Sequence, residues 1–239
     1  MANRLLPFRQ YHENDVINLF ANDSSDANPS TNGAGSAGVF VSIKSGGGNF
    51  SKDPITYVDR AELSASQSHT RNQYPEVQLK VTAAPVGSFA GEVVGITLKQ
   101  TLEQDENGEK LLYNPVKRDE LQAVLSGQAV PIATRGIFTL TSDAIDNGSA
   151  TMDTHPTPGQ ACVISPETAG KVSGVAFTTL FGGTSTSVTG YAFTAGGGAV
   201  VKYSPDHVVG TWIGTGTRTT VGPITDVAAG TYGVLKLNL

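Results

Sequence analysis

Apolar and polar positions alternate along most of this chain, and the alternation breaks about every ten residues at stretches rich in Gly, Ser, Thr or Asn. In "VQLKVTA" (77–83), Val77, Leu79 and Val81 alternate with polar partners, as in a strand with one face buried. "VFVSI" (39–43), "EVVGITLKQTL" (92–102), "AVPIATRGIFTL" (129–140), "QACVIS" (160–165) and "KVSGVAF" (171–177) read as further strands. So do "TSVTGYAFT" (186–194), "AVVKYS" (199–204), "HVVGTWIG" (207–214) and "TYGVLKLNL" (231–239). "DENG" (105–108) separates "TLEQ" from "EKLLY" and predicts a hairpin, because Asn-Gly readily accepts positive φ. One stretch has a different period. "NPVKRDELQAVLSGQ" (114–128) spaces Val116, Leu121, Val124 and Leu125 as a helix would, with Asn114 or Pro115 to open it and Gly127 to cap it. No repeat of about 20–50 residues is evident, so a solenoid or propeller is not expected. The pattern predicts a mainly β fold: a single β-barrel or sandwich-like domain over residues 39–239, with one short helix.

Ahead of that domain stands "LLPFRQYHENDVINLFA" (5–21), followed by the low-complexity run "NDSSDANPSTNGAGSAG" (22–38). The run has the composition of a flexible tether. Asn14 or Asp15 would cap a short helix through "VINLFA". Residues 1–38 are therefore expected to form an extended N-terminal arm. Its partner-contacting side chains would be Leu5, Leu6, Pro7, Phe8, Tyr11, Val16, Ile17, Leu19 and Phe20. Ordering such an arm costs roughly 1–2 kcal/mol per residue of backbone. Each large apolar side chain that it buries returns about 1.5–3 kcal/mol, and a tether raises the local concentration of the second contact. The expectation is a clamp that fills a groove on another protein; the alternative is a lid folded back on its own domain.

Composition narrows the classes of partner. Charged residues make up 15% of the chain and the formal charge is −5, without the clustered Lys and Arg that nucleic acid requires. No apolar run approaches the length of a membrane-spanning helix. The opening residues lack both the uninterrupted apolar core and the small-residue cleavage site of a secretory signal. Cys162 is the single cysteine, which excludes an internal disulfide and a multi-cysteine zinc site. Synthesis in a cytoplasm is expected, and the glycosylation-like "NGS" (147–149) then has little meaning.

No catalytic constellation stands out. His12, His69, His155 and His207 lie far apart and show no metal-ligand spacing. "DENGE" (105–109) has a fragment of a calcium loop but lacks the other ligand positions and the distant Glu. "GTGTRTTVG" (214–222) has neither the Lys-Ser/Thr pair of a phosphate loop nor the third glycine of a dinucleotide fingerprint. "GGTSTSVTG" (182–190) contains no nucleophile elbow, and a serine without a placed base is only a hydroxyl. Trp212 fits a strand core or rim better than a sugar platform, and Cys162 a small buried side chain. The reading is of a non-enzymatic protein without a cofactor or bound metal.

Several segments resemble one family. "GQACVISPETAGKVSG" (159–174) is similar to the strand, turn and "GKV" step of small β-barrel capsid cement proteins of tailed phages. "AVPIATRGIFTL" resembles the preceding element of such barrels, and "HVVGTWIGTG" with "GTYGVLKLNL" resembles their last two strands. The opening "LLPFRQYHENDVINLFA" is similar to N-termini of structural proteins from marine and cyanobacterial tailed phages. The chain departs from the simplest cement module in its length, in the helix near 115–126 and in the insertion around 178–200. The resemblance implies a virion structural protein on the capsid exterior, bound to the major capsid protein and, as an alternative, to other copies of itself. A receptor- or glycan-binding head or tail appendage is the second expectation.

Overall fold

The computed structural model describes residues 4–20, 36–43, 81–102, 104–105, 107–125, 128–146, 156–177, 180, 191–194, 200–218 and 230–239. Its strands are β1 (Leu5–Gln10), β2 (Val16–Phe20), β3 (Phe40–Ile43), β4 (Val81–Ala83), β5 (Val93–Thr97), β6 (Gln100–Thr101), β7 (Ala123–Val124) and β8 (Ala129–Ala133). They continue with β9 (Arg135–Thr141), β10 (Ala161–Ile164), β11 (Val172–Val175), β12 (Tyr191–Thr194), β13 (Val200–Tyr203), β14 (Val208–Arg218) and β15 (Gly230–Asn238). Among the described residues one α-helix, α1, can be followed end to end, over Pro115–Glu120.

Two antiparallel sheets make the body. The first runs β1-β9-β15-β14-β10-β11 and the second β2-β8-β5-β3-β4, with small two-stranded sheets β12-β13 and β6-β7 beside them. Both main sheets are open, so the fold is mainly β and sandwich-like; the expected alternative of a closed barrel does not form. The period of two explains the layering. Phe40, Val93, Ile96 and Ala133 of the second sheet meet Phe138, Leu140, Cys162, Ile164, Val209, Trp212, Leu235 and Leu237 of the first in one buried cluster. The alternate residues Val39, Val41, Val130 and Ile132 pack on the far face of the second sheet with Leu19, Val81 and Val124. β10 is buried on both sides: Cys162 and Ile164 face the central core, while Ala161 and Val163 join Val175, Leu180 and Tyr203.

The opening segment is not a free arm. β1 pairs with β9, and β2 pairs with β8 over Val16↔Ala133 to Phe20↔Ala129. "VINLF" is thus a strand rather than the expected helix, because Val16 and Leu19 find apolar cores on opposite faces of a sheet. β8 and β9 are consecutive and belong to different sheets, joined through Thr134. β1 and β2 switch sheets alongside them, through a 3-10 turn at Glu13–Asp15. Strands that change sheet in this way form the corners of a sandwich. Residues 1–38 therefore do not separate from the domain as a unit. Of the expected tether (22–38), residues 22–35 lie outside the described residues.

The helix is also shorter than its periodicity predicts. It ends at Leu121, and Gln122 takes a positive φ of 49°. Ala123 and Val124 then pair with β6 in parallel, since Ala123 packs with Leu111 and Leu125 while Val124 faces the second sheet. Val116, expected on the apolar face, is exposed. The "DENG" turn forms as expected: Gln104 and Lys110 bridge antiparallel, and Gly108 has φ 82°. Residues 77–80, 147–149, 182–190 and 195–198, and with them part of the expected strands and loops, lie outside the described residues.

Candidate partner interface

The nine side chains expected to meet a partner divide between the core and the surface. Leu5 and Leu19 are buried, and Val16 is half-buried against the central cluster. These three hold the segment to its own domain, which corrects their assignment to a partner's groove. Leu6 is half-buried and Pro7 exposed. Phe8, Tyr11 and Ile17 are exposed at 64%, 39% and 37% of their surface. Phe20 continues β2 opposite Ala129.

Local chemistry fixes this division. Between Leu5↔Leu140 and Arg9↔Phe138 the register slips, so that Leu6, Pro7 and Phe8 bulge out opposite the single residue Thr139. Pro7 has no N–H to give a ladder, which suits an edge strand. Past the bulge the strand returns to close contact. Gly136, at φ 138°, lies where a Cβ would come within 2.6 Å of the Gln10 carbonyl oxygen, so only glycine lets β1 approach there. Tyr11 then stacks on Phe138 with ring centroids 5.9 Å apart and planes 18° apart, which fixes the exposed ring in place. The Arg9 guanidinium donates to the Leu98 carbonyl oxygen at 3.4 Å and to Gln122 Oε1 at 3.3 Å, tying the strand to the second sheet's side.

The two edges differ in chemistry. β1 is interrupted by a bulge and a proline, two devices that block strand addition. β2 has an unbroken register with β8. The Thr134 amide donates to the Asp15 carbonyl oxygen at 2.8 Å, so alternation along the ladder turns the backbone groups of Val16, Asn18 and Phe20 away from β8. Among the described residues no strand pairs on that side. The segment therefore presents three apolar side chains and one open strand edge, all on backbone already ordered in its own sheets.

The other candidates from the sequence are occupied with folding. His12 Nδ1 accepts from the Asn14 amide at 3.2 Å and caps the 3-10 turn. Asp105 Oδ1 accepts from the Asn107 and Glu109 amides at 2.9 and 2.8 Å, which holds the hairpin turn in the stretch that resembled a calcium loop. Cys162 is fully buried, and burial pushes its thiol well above the ordinary range. Trp212 is fully buried in the central core and donates from Nε1 to the Ser173 carbonyl oxygen at 3.4 Å. His69 and His155 lie outside the described residues. Among the described residues no three His, Cys, Asp or Glu side chains group to hold a metal ion.

Two buried polar clusters were not legible in the sequence. In one, the Ser165 hydroxyl donates to Asp146 Oδ2 and accepts from the Glu167 and Thr168 amides at 3.0 Å each. In the other, the His207 ring lies 4.2 Å from Phe89 and 5.2 Å edge-on to Tyr203, whose hydroxyl donates to the Ile164 carbonyl oxygen. His207 Nδ1 accepts from the Ser204 amide at 3.0 Å, closing a capping box around Pro205–His207. Burial holds this imidazole below the ordinary His range, against the pull of Asp206 and Glu92. Both clusters clamp turns between strands.

No family model, curated protein or solved structure matches the chain.

Proposed function

We propose that this protein is a non-enzymatic virion structural protein that decorates the outside of a tailed-phage capsid and bridges neighbouring shell subunits. The observation that carries the reading is the exposure of Phe8, Tyr11 and Ile17 in and beside two edge strands that are otherwise locked into the domain. A protein that fastens others together needs a rigid body and a fixed apolar contact, and this segment supplies both. The partner is the major capsid protein, with further copies of the chain as the alternative. The resemblance of much of 129–239 to phage capsid cement proteins, and of the opening residues to N-termini of tailed-phage structural proteins, points the same way.

The contact differs from a tethered clamp in its energetics. Strands β1 and β2 are already ordered, so binding does not charge their backbone entropy again. Full burial of each exposed apolar side chain would contribute about 1.5–3 kcal/mol. The open backbone of β2 offers hydrogen bonds to an added strand, a common mode of peptide recognition.

The test mixes the purified protein with tailed-phage shells that lack it. Saturable binding that raises the shell's melting temperature is expected, and the combined variant Phe8→Ser, Tyr11→Ser, Ile17→Lys should bind at least tenfold more weakly while still unfolding cooperatively. Binding to host cells with no binding to shells would sink the capsid reading and support the receptor- or glycan-binding appendage. That second reading has one observation of its own: Tyr113 and Val116, around the start of α1, form another exposed pair, at 75% and 68%.

A further inference from the structure

Arg4 immediately precedes β1, and its side chain lies on the outer face of the first sheet. The Thr141 amide donates to the Arg4 carbonyl oxygen at 2.9 Å, which makes Arg4 and Thr141 opposite partners. Leu5 and Leu140, the next opposite pair, face the central core, so Arg4 faces away from it. Thr139 lies two residues from Thr141 and therefore on the same face, diagonally across from Arg4. It is also the residue opposite the bulge at Leu6, Pro7 and Phe8.

Both side chains are buried, with 6% of Arg4 and 5% of Thr139 exposed. Among the described residues, three buried side-chain polar atoms have no hydrogen-bond partner: Arg4 Nε, Arg4 Nη1 and Thr139 Oγ1. All three fall on this one pair of neighbours. A guanidinium keeps its charge at any ordinary pH, and a buried charge without a partner is strongly unfavourable. The Asp143 carboxylate acts on Arg4 electrostatically, but it is exposed and no ion pair forms between them.

We propose that Arg4 and Thr139 bind an oxyanion, a carboxylate, phosphate or sulfate, at the bulge where β1 leaves β9. The guanidinium supplies charge and N–H donors in a fixed plane, and the hydroxyl supplies a further donor, the combination that oxyanions recognise. A cation would be repelled, and a neutral ligand would leave the charge unanswered. The bulge between Leu5 and Arg9 interrupts regular pairing beside both side chains, and bulges at sheet edges frequently mark functional positions. This site is independent of the capsid reading and stands or falls separately.

The test is a thermal-shift titration of the full chain with sodium phosphate, sulfate and acetate, each against sodium chloride at equal ionic strength. A saturable rise in melting temperature is expected for at least one oxyanion. Acetate alone giving the rise identifies a carboxylate, as from a partner's side chain, whereas phosphate or sulfate identifies a free inorganic or ester group. Arg4→Met should abolish the response, and Thr139→Val should raise the midpoint concentration at least fivefold. The proposal is overturned if no oxyanion exceeds chloride, if Arg4→Met responds as the parent does, or if the Thr139→Val midpoint is unchanged. It is overturned equally if Asp143→Asn lowers the melting temperature and added oxyanion does not restore it, for then Asp143 neutralises Arg4.

Discussion

Thr134 donates two hydrogen bonds to the carbonyl oxygen of Asp15, from its amide at 2.8 Å and from its hydroxyl at 3.0 Å, across 119 residues of sequence. Each residue sits at a corner where the chain passes from one sheet to the other. The same Thr134 accepts from the Leu239 amide at 3.2 Å, so three distant segments meet at one residue. Thr134→Val removes the hydroxyl bond and keeps the shape. It should lower stability by about 0.5–1.5 kcal/mol, measured as a shifted midpoint in urea with an unchanged slope.

Deleting residues 2–21 is a more severe test of the same relationship. A tethered arm would leave a folded domain behind. Here the deletion strips the edge strand from both main sheets and removes Leu5 and Leu19 from two clusters. Loss of the two buried leucines alone costs on the order of 4–10 kcal/mol, comparable to the whole stability of a typical domain. The truncated chain should show no cooperative thermal transition by circular dichroism. A sharp transition near that of the full chain would show that the segment is dispensable to the fold.

Most strands are legible because their faces are set locally. In β10, the unbroken apolar run Ala161–Ile164 marks a strand with no polar face, and the structure buries both faces. What the local pattern does not contain is the identity of the neighbour. The Gly/Ser-rich run after Phe20 suggests isolation, yet β1 and β2 pair with β9 and β8, more than a hundred residues away. Once those pairings are known, Leu5 and Leu19 fall inside buried clusters, while Phe8 in the bulge and Ile17, on the same face of β2 as Leu19, stay exposed. Sequence alone gives their hydrophobicity and not their burial. The helix fails for a related reason: Val124 matches a helical face in spacing but is drawn into a second cluster by Val39, Val41 and Ile132. Arg4, a single charge in an N-terminal tail, carries no sequence signal of its burial.

Gly233 lies beneath the only tryptophan, and a Cβ placed there would come within 2.5 Å of Trp212 Cζ3. The ring is fully buried between the sheets and has nowhere to retreat without displacing its neighbours. Gly233→Ala should destabilise by about 1–3 kcal/mol through overpacking. The tryptophan emission reports the same event: a red shift in the folded variant is expected, and an unchanged spectrum with unchanged stability would contradict this packing.

Cys162 offers a chemical measure of how tightly the sandwich is closed. It is fully buried, lies in the central cluster, and burial keeps its thiol protonated far above neutral pH. Only thiolate reacts readily with disulfide reagents. At pH 8 the native protein should therefore release almost no thionitrobenzoate from Ellman's reagent over minutes, and one equivalent per chain in denaturant. Rapid labelling of the native protein would mean that β10 opens easily.

The His207 capping box makes the protein's stability depend on pH. Ser204 N–H donates to Nδ1 at 3.0 Å, and that bond uses the lone pair of a neutral ring. Burial between Phe89 and Tyr203 lowers the folded pKa below the ordinary value, while the Asp206 and Glu92 carboxylates oppose the shift without reversing it. The unfolded chain has a His with a pKa of about 6.5. Between that pH and the lower folded value, the unfolded state binds the extra proton and the folded state does not. Stability contributed by this group is therefore complete above about pH 6.5 and is lost progressively as pH falls towards the folded pKa. His207→Asn supplies a carbonyl oxygen for Ser204 but does not titrate. It should be about 1–3 kcal/mol less stable at pH 7, through lost ring contacts. The difference between parent and variant should then narrow as pH falls from 7 to 5, because only the parent loses this contribution. Urea midpoints at several pH values check the sign directly; a difference that stays constant would show that His207 binds its proton equally in both states. Asp206→Asn removes a carboxylate that favours the charged ring, so it should enlarge the loss in the parent background over the same interval.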